Sequence, residues 1–182
     1  MKNNLLKYLK EDEFKYVYNE SDLYKKCLFL VSILFKDKVD QNNIPYITHL
    51  MRVSSKMTSL DGQVAALLHD VVEDIDDVTF YDLSDIGIPD NIIEVLKLVT
   101  KKPHREELTN EEKLELYNEE IDNIIKSNNK LAIELKYSDM SDNFDKERLK
   151  LLSHEKQKWL TLKYGENIKK LEKVKGDKND RY

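Results

Sequence analysis

Leu60-Asp61-Gly62-Gln63-Val64-Ala65-Ala66-Leu67-Leu68-His69-Asp70-Val71-Val72-Glu73-Asp74-Ile75 is the stretch on which the fold turns. Val64, Leu67, Leu68, Val71 and Ile75 recur in steps of three and four, the period of a helix with one buried face. The spacing predicts a helix over 61–75. On such a helix His69 and Glu73 lie one turn apart, as do Asp70 and Asp74. These four polar groups span about 140° of its surface, away from the apolar stripe. Three carboxylates beside an imidazole repel one another, and a bound divalent cation reverses the sign of that cost. An acidic face turned to solvent is the plain alternative. The apolar residues on either side, Ala65 to Leu68 and Val71-Val72, speak against it. They place His69 and Asp70 at a core boundary, where unpaired charge is costly.

The same helical period continues outward. In residues 22–36, Tyr24, Cys27, Leu28, Val31, Leu34 and Phe35 fall on one face. Residues 37–45 read as a loop, followed by a helix over 46–58. Thr79 and Asp82 form a capping-box pair that opens a short helix. Pro89 suits the first turn of a helix over 89–100, and residues 101–108 form a loop. Thr109 and Glu112 make a second capping box for a helix to about residue 126. Asn129 caps a helix to about residue 144, and a long helix starts near Ser153. No segment alternates with a period of two, and the chain holds only 4 Gly and 3 Pro. The expected fold class is therefore all-α.

A length of 182 residues fits one domain. We expect a single helical domain over 1–182, with a core at about 22–172 and a frayed tail at about 173–182. Net charge is −5, the opposite of a nucleic-acid footprint. The lysine-rich end from Lys163 reads as a solvated helix terminus, with a phosphate- or RNA-touching arm as the alternative. Cys27 is the one cysteine, so no internal disulfide is expected, and it reads as a small core residue. No run reaches the roughly 20 apolar residues of a membrane span. The N-terminal stretch meets acidic residues too early for a signal peptide. A cytoplasmic protein is the expectation, and its oligomeric state is left open.

Three blocks carry the chemistry. They are Pro45-Tyr46-Ile47-Thr48-His49, then Leu68-His69-Asp70-Val71-Val72-Glu73-Asp74, then Lys136-Tyr137-Ser138-Asp139-Met140-Ser141-Asp142-Asn143. Taken alone, His49 reads as a satisfied core histidine and Asp139 as a cap or surface residue. Together with His69 and Asp70 they offer two imidazoles and two carboxylates. That mixed set suits Mn, Fe, Co, Ni or Zn better than Ca or Mg.

The order His, His-Asp, Asp resembles the HD superfamily of metal-dependent phosphohydrolases. The finer pattern resembles the hydrolase domain of RelA/SpoT-type alarmone enzymes and small stand-alone HD proteins related to them. This likeness runs from about residue 23 to 171 and includes Leu98-Val99-Thr100 and the segment from Leu162 to Tyr164. It implies an HD-domain helical bundle. It also implies one divalent metal, Mn²⁺ by family habit, on His49, His69, Asp70 and Asp139. Glu73 and Asp74 would do the proton work. Asn143 would help position a nucleotide, and Tyr46 would line the pocket mouth. Arg52, one turn after His49, would clamp a phosphate or form a surface ion pair.

The chain departs from that pattern beside the substrate. Asp40 and Gln41 stand where the family places Arg or Lys, Asn43 stands for a Gly, Phe35 for a His, and Leu50 for a Pro. None of these positions is an expected metal ligand. Hydrolysis of a nucleotide phosphoanhydride or phosphoester is thus the expected activity, with (p)ppGpp pyrophosphohydrolysis as the specific form. An HD-type 5′-nucleotidase or deoxynucleotide phosphohydrolase is one alternative. A non-catalytic metal- and nucleotide-binding HD module is another, and a helical interaction protein is the third.

Overall fold

Asp22, Ser59, Thr79, Thr109 and Asn129 each accept a hydrogen bond from the backbone N–H three residues on. Each thereby satisfies a donor that a helix start would otherwise leave orphaned. The helices that follow are those of a computed structural model, which describes residues 3–101 and 108–176. Among the described residues there is no strand, only an isolated antiparallel bridge between Val39 and Pro45. The all-α expectation holds. The chain divides into two compact units, Met1–Thr100 and Lys101–Tyr182.

The first unit opens with a single 3-10 turn, Asn4–Lys7, and α1, Glu11–Asn19. Neither was expected from sequence. Next come α2 (Leu23–Leu34), α3 (Ile47–Ser55), α4 (Leu60–Leu68), α5 (Val71–Asp74), α6 (Phe80–Asp85) and α7 (Asp90–Val99). The central element is α4, which packs against α2, α3 and α7. Its residues Val64, Ala65, Ala66 and Leu67 are wholly buried. Around them lie Leu30 and Val31 of α2, Leu50 and Val53 of α3, and Ile92 and Leu96 of α7, all inaccessible or nearly so. Lys26 of α2 is also buried and donates to the Ile86 carbonyl at 2.6 Å. A cation there meets the negative end of α6.

The helix expected over 61–75 is a correction: α4 ends at Leu68 and a new turn, α5, begins at Val71. Asp70 has φ −98° and ψ −1°, the bridge conformation in which active-site residues often sit. No Gly or Pro marks the break. Asp70 starts the new turn, its carbonyl accepting from the Asp74 N–H at 2.9 Å.

The second unit holds α8 (Asn110–Lys126), α9 (Lys130–Asn143), α10 (Lys146–Leu149) and α11 (His154–Gly176). The short α10 was not expected. Here α11 packs on both α8 and α9, burying Ile121, Ile124, Leu135, Met140, Leu160 and Leu171. Of the loop expected over 101–108, residues 102–107 lie outside the described residues, as do 177–182 of the expected tail. No helix among the described residues is long and apolar enough to cross a membrane.

Candidate metal centre

His49 comes from the first turn of α3, while His69 and Asp70 occupy the break between α4 and α5. The packing of α3 on α4 brings them together although twenty residues separate them along the chain. One ligand atom from each of His49, His69 and Asp70 lies within 4.8 Å of the others. Both histidines are buried, at 2% and 6% exposure. The His69 Nε2 stands 3.0 Å from Asp70 Oδ2, and the His49 Nε2 stands 3.8 Å from the same oxygen.

The tautomer of His69 follows from its other nitrogen. Nδ1 faces the Ala66 carbonyl at 2.7 Å. A carbonyl only accepts, so Nδ1 carries the proton. In the neutral ring, Nε2 then presents a lone pair toward a carboxylate oxygen, an arrangement that calls for a cation. A backbone carbonyl on the far nitrogen is the usual orienting partner of a metal-binding imidazole. Two donors about 2.1 Å from one ion and at right angles to each other stand roughly 3 Å apart, which matches the His69–Asp70 separation. The donor set therefore fits a divalent transition metal.

Tyr46 closes the cluster from the start of α3. Its hydroxyl donates to Asp70 Oδ2 at 2.6 Å. Its ring stacks on Phe35, with centroids 5.2 Å apart and planes at 16°. The residue expected at the pocket mouth is thus tied to a cluster carboxylate. Arg52 donates to the Thr48 hydroxyl at 3.0 Å, one turn back on α3.

Glu73 is exposed, while Asp74 is partly buried. Burial pushes the Asp74 carboxyl above its ordinary value, and the nearby charges of Asp70 and Glu73 push the same way. The Lys38 ammonium, 2.8 Å from Asp74 Oδ2, opposes them. The two acidic residues expected to do proton work therefore occupy different environments, the condition under which neighbouring carboxylates separate their roles. No motif in the sequence marks Lys38, whose partner lies 36 residues away.

The loop before α3 accounts for two departures. Asp40 Oδ1 accepts from the backbone N–H groups of Asn42 and Ile44, at 2.8 and 3.1 Å. Asn43 adopts φ +58°, a left-handed conformation that Asn tolerates better than most residues. Asp40 thus closes a turn, a role for which Asp is well suited.

Asp139 and Asn143 belong to α9 in the second unit. Asp139 is buried at 8% exposure. Its Oδ2 lies 3.3 Å from the Lys136 ammonium, and its Oδ1 accepts from the Asn143 amide at 2.6 Å. Asn143 therefore orients the carboxylate one turn before it.

Among the described residues the fold is all-helical, and in the first unit a histidine–aspartate cluster lies between α3 and the α4–α5 break. Among solved structures, the chain is similar to one described as a metazoan ortholog of SpoT that hydrolyzes ppGpp and plays a role in starvation responses. The TM-score is 0.63 at 24% identity, over 85% of this chain and 94% of that one. A likeness at that identity establishes the fold. No sequence-family description matches the chain, and neither does any curated protein.

Proposed function

We propose that this protein is a metal-dependent phosphohydrolase acting on a nucleotide phosphoanhydride or phosphoester, in the manner of a (p)ppGpp pyrophosphohydrolase. The observation that carries this is the buried His49–His69–Asp70 cluster, with ligand atoms within 4.8 Å of one another. The fold shared with a ppGpp hydrolase supports it. His49, His69, Asp70 and Asp139 would hold one divalent ion, Mn²⁺ foremost. When bound, the ion supplies charge that polarises a phosphate oxygen and lowers the pKa of water.

The remaining roles belong to side chains. Tyr46 holds Asp70 by its hydroxyl, and the Ala66 carbonyl fixes the His69 ring. Asp74 would orient the attacking water, take its proton and pass it toward the leaving oxygen as the scissile P–O bond breaks, and Glu73, nearer to solvent, would exchange protons with the medium. Arg52 and Asn143 contact the substrate. The acidic balance of the chain favours a small phosphorylated ligand over nucleic acid, and a cytoplasmic setting follows from that substrate class.

The test is a panel of nucleotides offered to Mn²⁺-loaded protein, with the released product identified. Pyrophosphate from a guanosine 3′-pyrophosphate supports the proposal in its specific form. Orthophosphate from nucleoside monophosphates moves the protein to the 5′-nucleotidase alternative. Asp70→Ala should remove both metal and turnover. An unchanged rate in that variant rejects metal hydrolysis altogether.

A further inference from the structure

Lys38 lies on the turn that follows α2, and four contacts hold its ammonium. Nζ is 2.8 Å from Asp74 Oδ2 and 3.4 Å from the Asp74 carbonyl oxygen. It also stands 5.6 Å from the centroid of the Phe35 ring and 5.4 Å from that of Tyr46. Those two rings stack on each other, and the Tyr46 hydroxyl donates to Asp70 Oδ2. One cation thus touches both the carboxylate assigned to the attacking water and the aromatic ring that holds a cluster carboxylate.

We propose that Lys38 is a positioning residue for hydrolysis, fixing the Asp74 carboxylate and the Tyr46 ring together. This rests on the functional reading above. Asp74 sits near two like charges, Asp70 and Glu73, and left to itself would turn away from them. The ammonium, 2.8 Å from Asp74 Oδ2, supplies the opposing attraction. A surface lysine with one ionic partner is held weakly, because water screens the pair and a long side chain loses rotamer freedom. Lys38 is held better, since the ring faces add attraction to a cation within about 6 Å and immobilise its stem. It acts on the reaction through Asp74 and Tyr46, without touching the substrate.

The experiment compares wild type with Lys38→Met, Asp74→Asn and the double variant. Lys25→Met on the exposed start of α2 serves as the control for a lost charge. The expected result for Lys38→Met is a fall in kcat of about 10- to 100-fold, the usual effect of removing an orienting partner, with little change in KM. The same substitution should have a clearly smaller effect on kcat in the Asp74→Asn background, where only its hold on Tyr46 is left to lose. In metal-free protein, the Tm losses of the two single variants should be non-additive, as expected for residues in contact. Where Lys38→Met does not fold, Lys38→Gln is read the same way.

An active wild type whose kcat is indifferent to Lys38→Met overturns this inference alone. So does a raised KM at unchanged kcat, which would make Lys38 a substrate contact. A wild type inactive on every nucleotide overturns the proposed function, and this inference with it.

Discussion

Tyr46 and Asp70 share a short side-chain link, 2.6 Å between hydroxyl and carboxylate. Partners of this kind set where a metal-binding carboxylate points, and their loss typically costs about 10- to 100-fold in metal affinity or activity. Tyr46→Phe keeps the ring on Phe35 and removes only the donor. We expect it to weaken Mn²⁺ binding by about tenfold, measured by calorimetry, with an unchanged Tm. Equal affinity in the two proteins would show that the hydroxyl does not orient Asp70. Cys27 gives a second expectation at this scale. It is fully buried, and burial pushes its thiol up to about 12. The thiolate is the reactive form, so thiol reagents should label Cys27 slowly in native protein and rapidly in denaturant. Fast labelling of native protein would contradict its place in the core. That Cys27 is core was legible from its apolar surroundings. That Lys38 reaches Asp74 was not, because the contact depends on how a loop folds back over α5.

At the scale of elements, local signals were the legible ones. The Thr79–Asp82 and Thr109–Glu112 boxes open their helices as expected, and Asn129 caps α9. Each of these signals lies within four residues of sequence. The break between α4 and α5 had no such signal. It falls inside an unbroken apolar period, and the contacts around Asp70 include the long-range one from Tyr46. The N-terminal turn escaped for the same reason. Its anchors are Asn3 and Asn4 on Asp82, some 78 residues distant: the Asn3 amide donates to the Asp82 carbonyl at 3.0 Å, and the Asn4 N–H donates to Asp82 Oδ1 at 2.6 Å.

Asp82 therefore serves two elements at once. Burial alone would raise its carboxyl, but hydrogen bonds from Thr79 and Asn4 hold it below the ordinary value of 3.8. A group depressed by folding stabilises the fold above its unfolded pKa, and that contribution is lost as the pH falls through the folded pKa. Tm should accordingly drop in acid, below the ordinary aspartate range, and Asp82→Asn should flatten that part of the profile. At neutral pH, Asp82→Ala should cost about 1–2 kcal/mol by loss of the hydrogen bonds that its carboxylate accepts from Thr79 and Asn4, read from urea unfolding. A parallel acid profile in the asparagine variant would assign the acid sensitivity elsewhere.

For the whole molecule, the expected ligands divide between two compact units. His49, His69 and Asp70 belong to the first and Asp139 to the second. The first three were legible because the HD pair lies in an apolar run and His49 precedes it in the same block order as the family it resembles. Asp139 as a ligand rests on that resemblance alone, since an aspartate on a helix has many plain uses. The most direct measurement is metal content per chain, by elemental analysis and Mn²⁺ titration, for wild type and for His49→Ala, His69→Ala, Asp70→Ala and Asp139→Ala. The expected result is one transition-metal ion per wild-type chain, with every substitution, Asp139→Ala included, weakening binding by more than about tenfold. A wild-type chain that binds none, or an Asp139→Ala chain that binds as tightly as wild type, would contradict the proposed four-ligand centre.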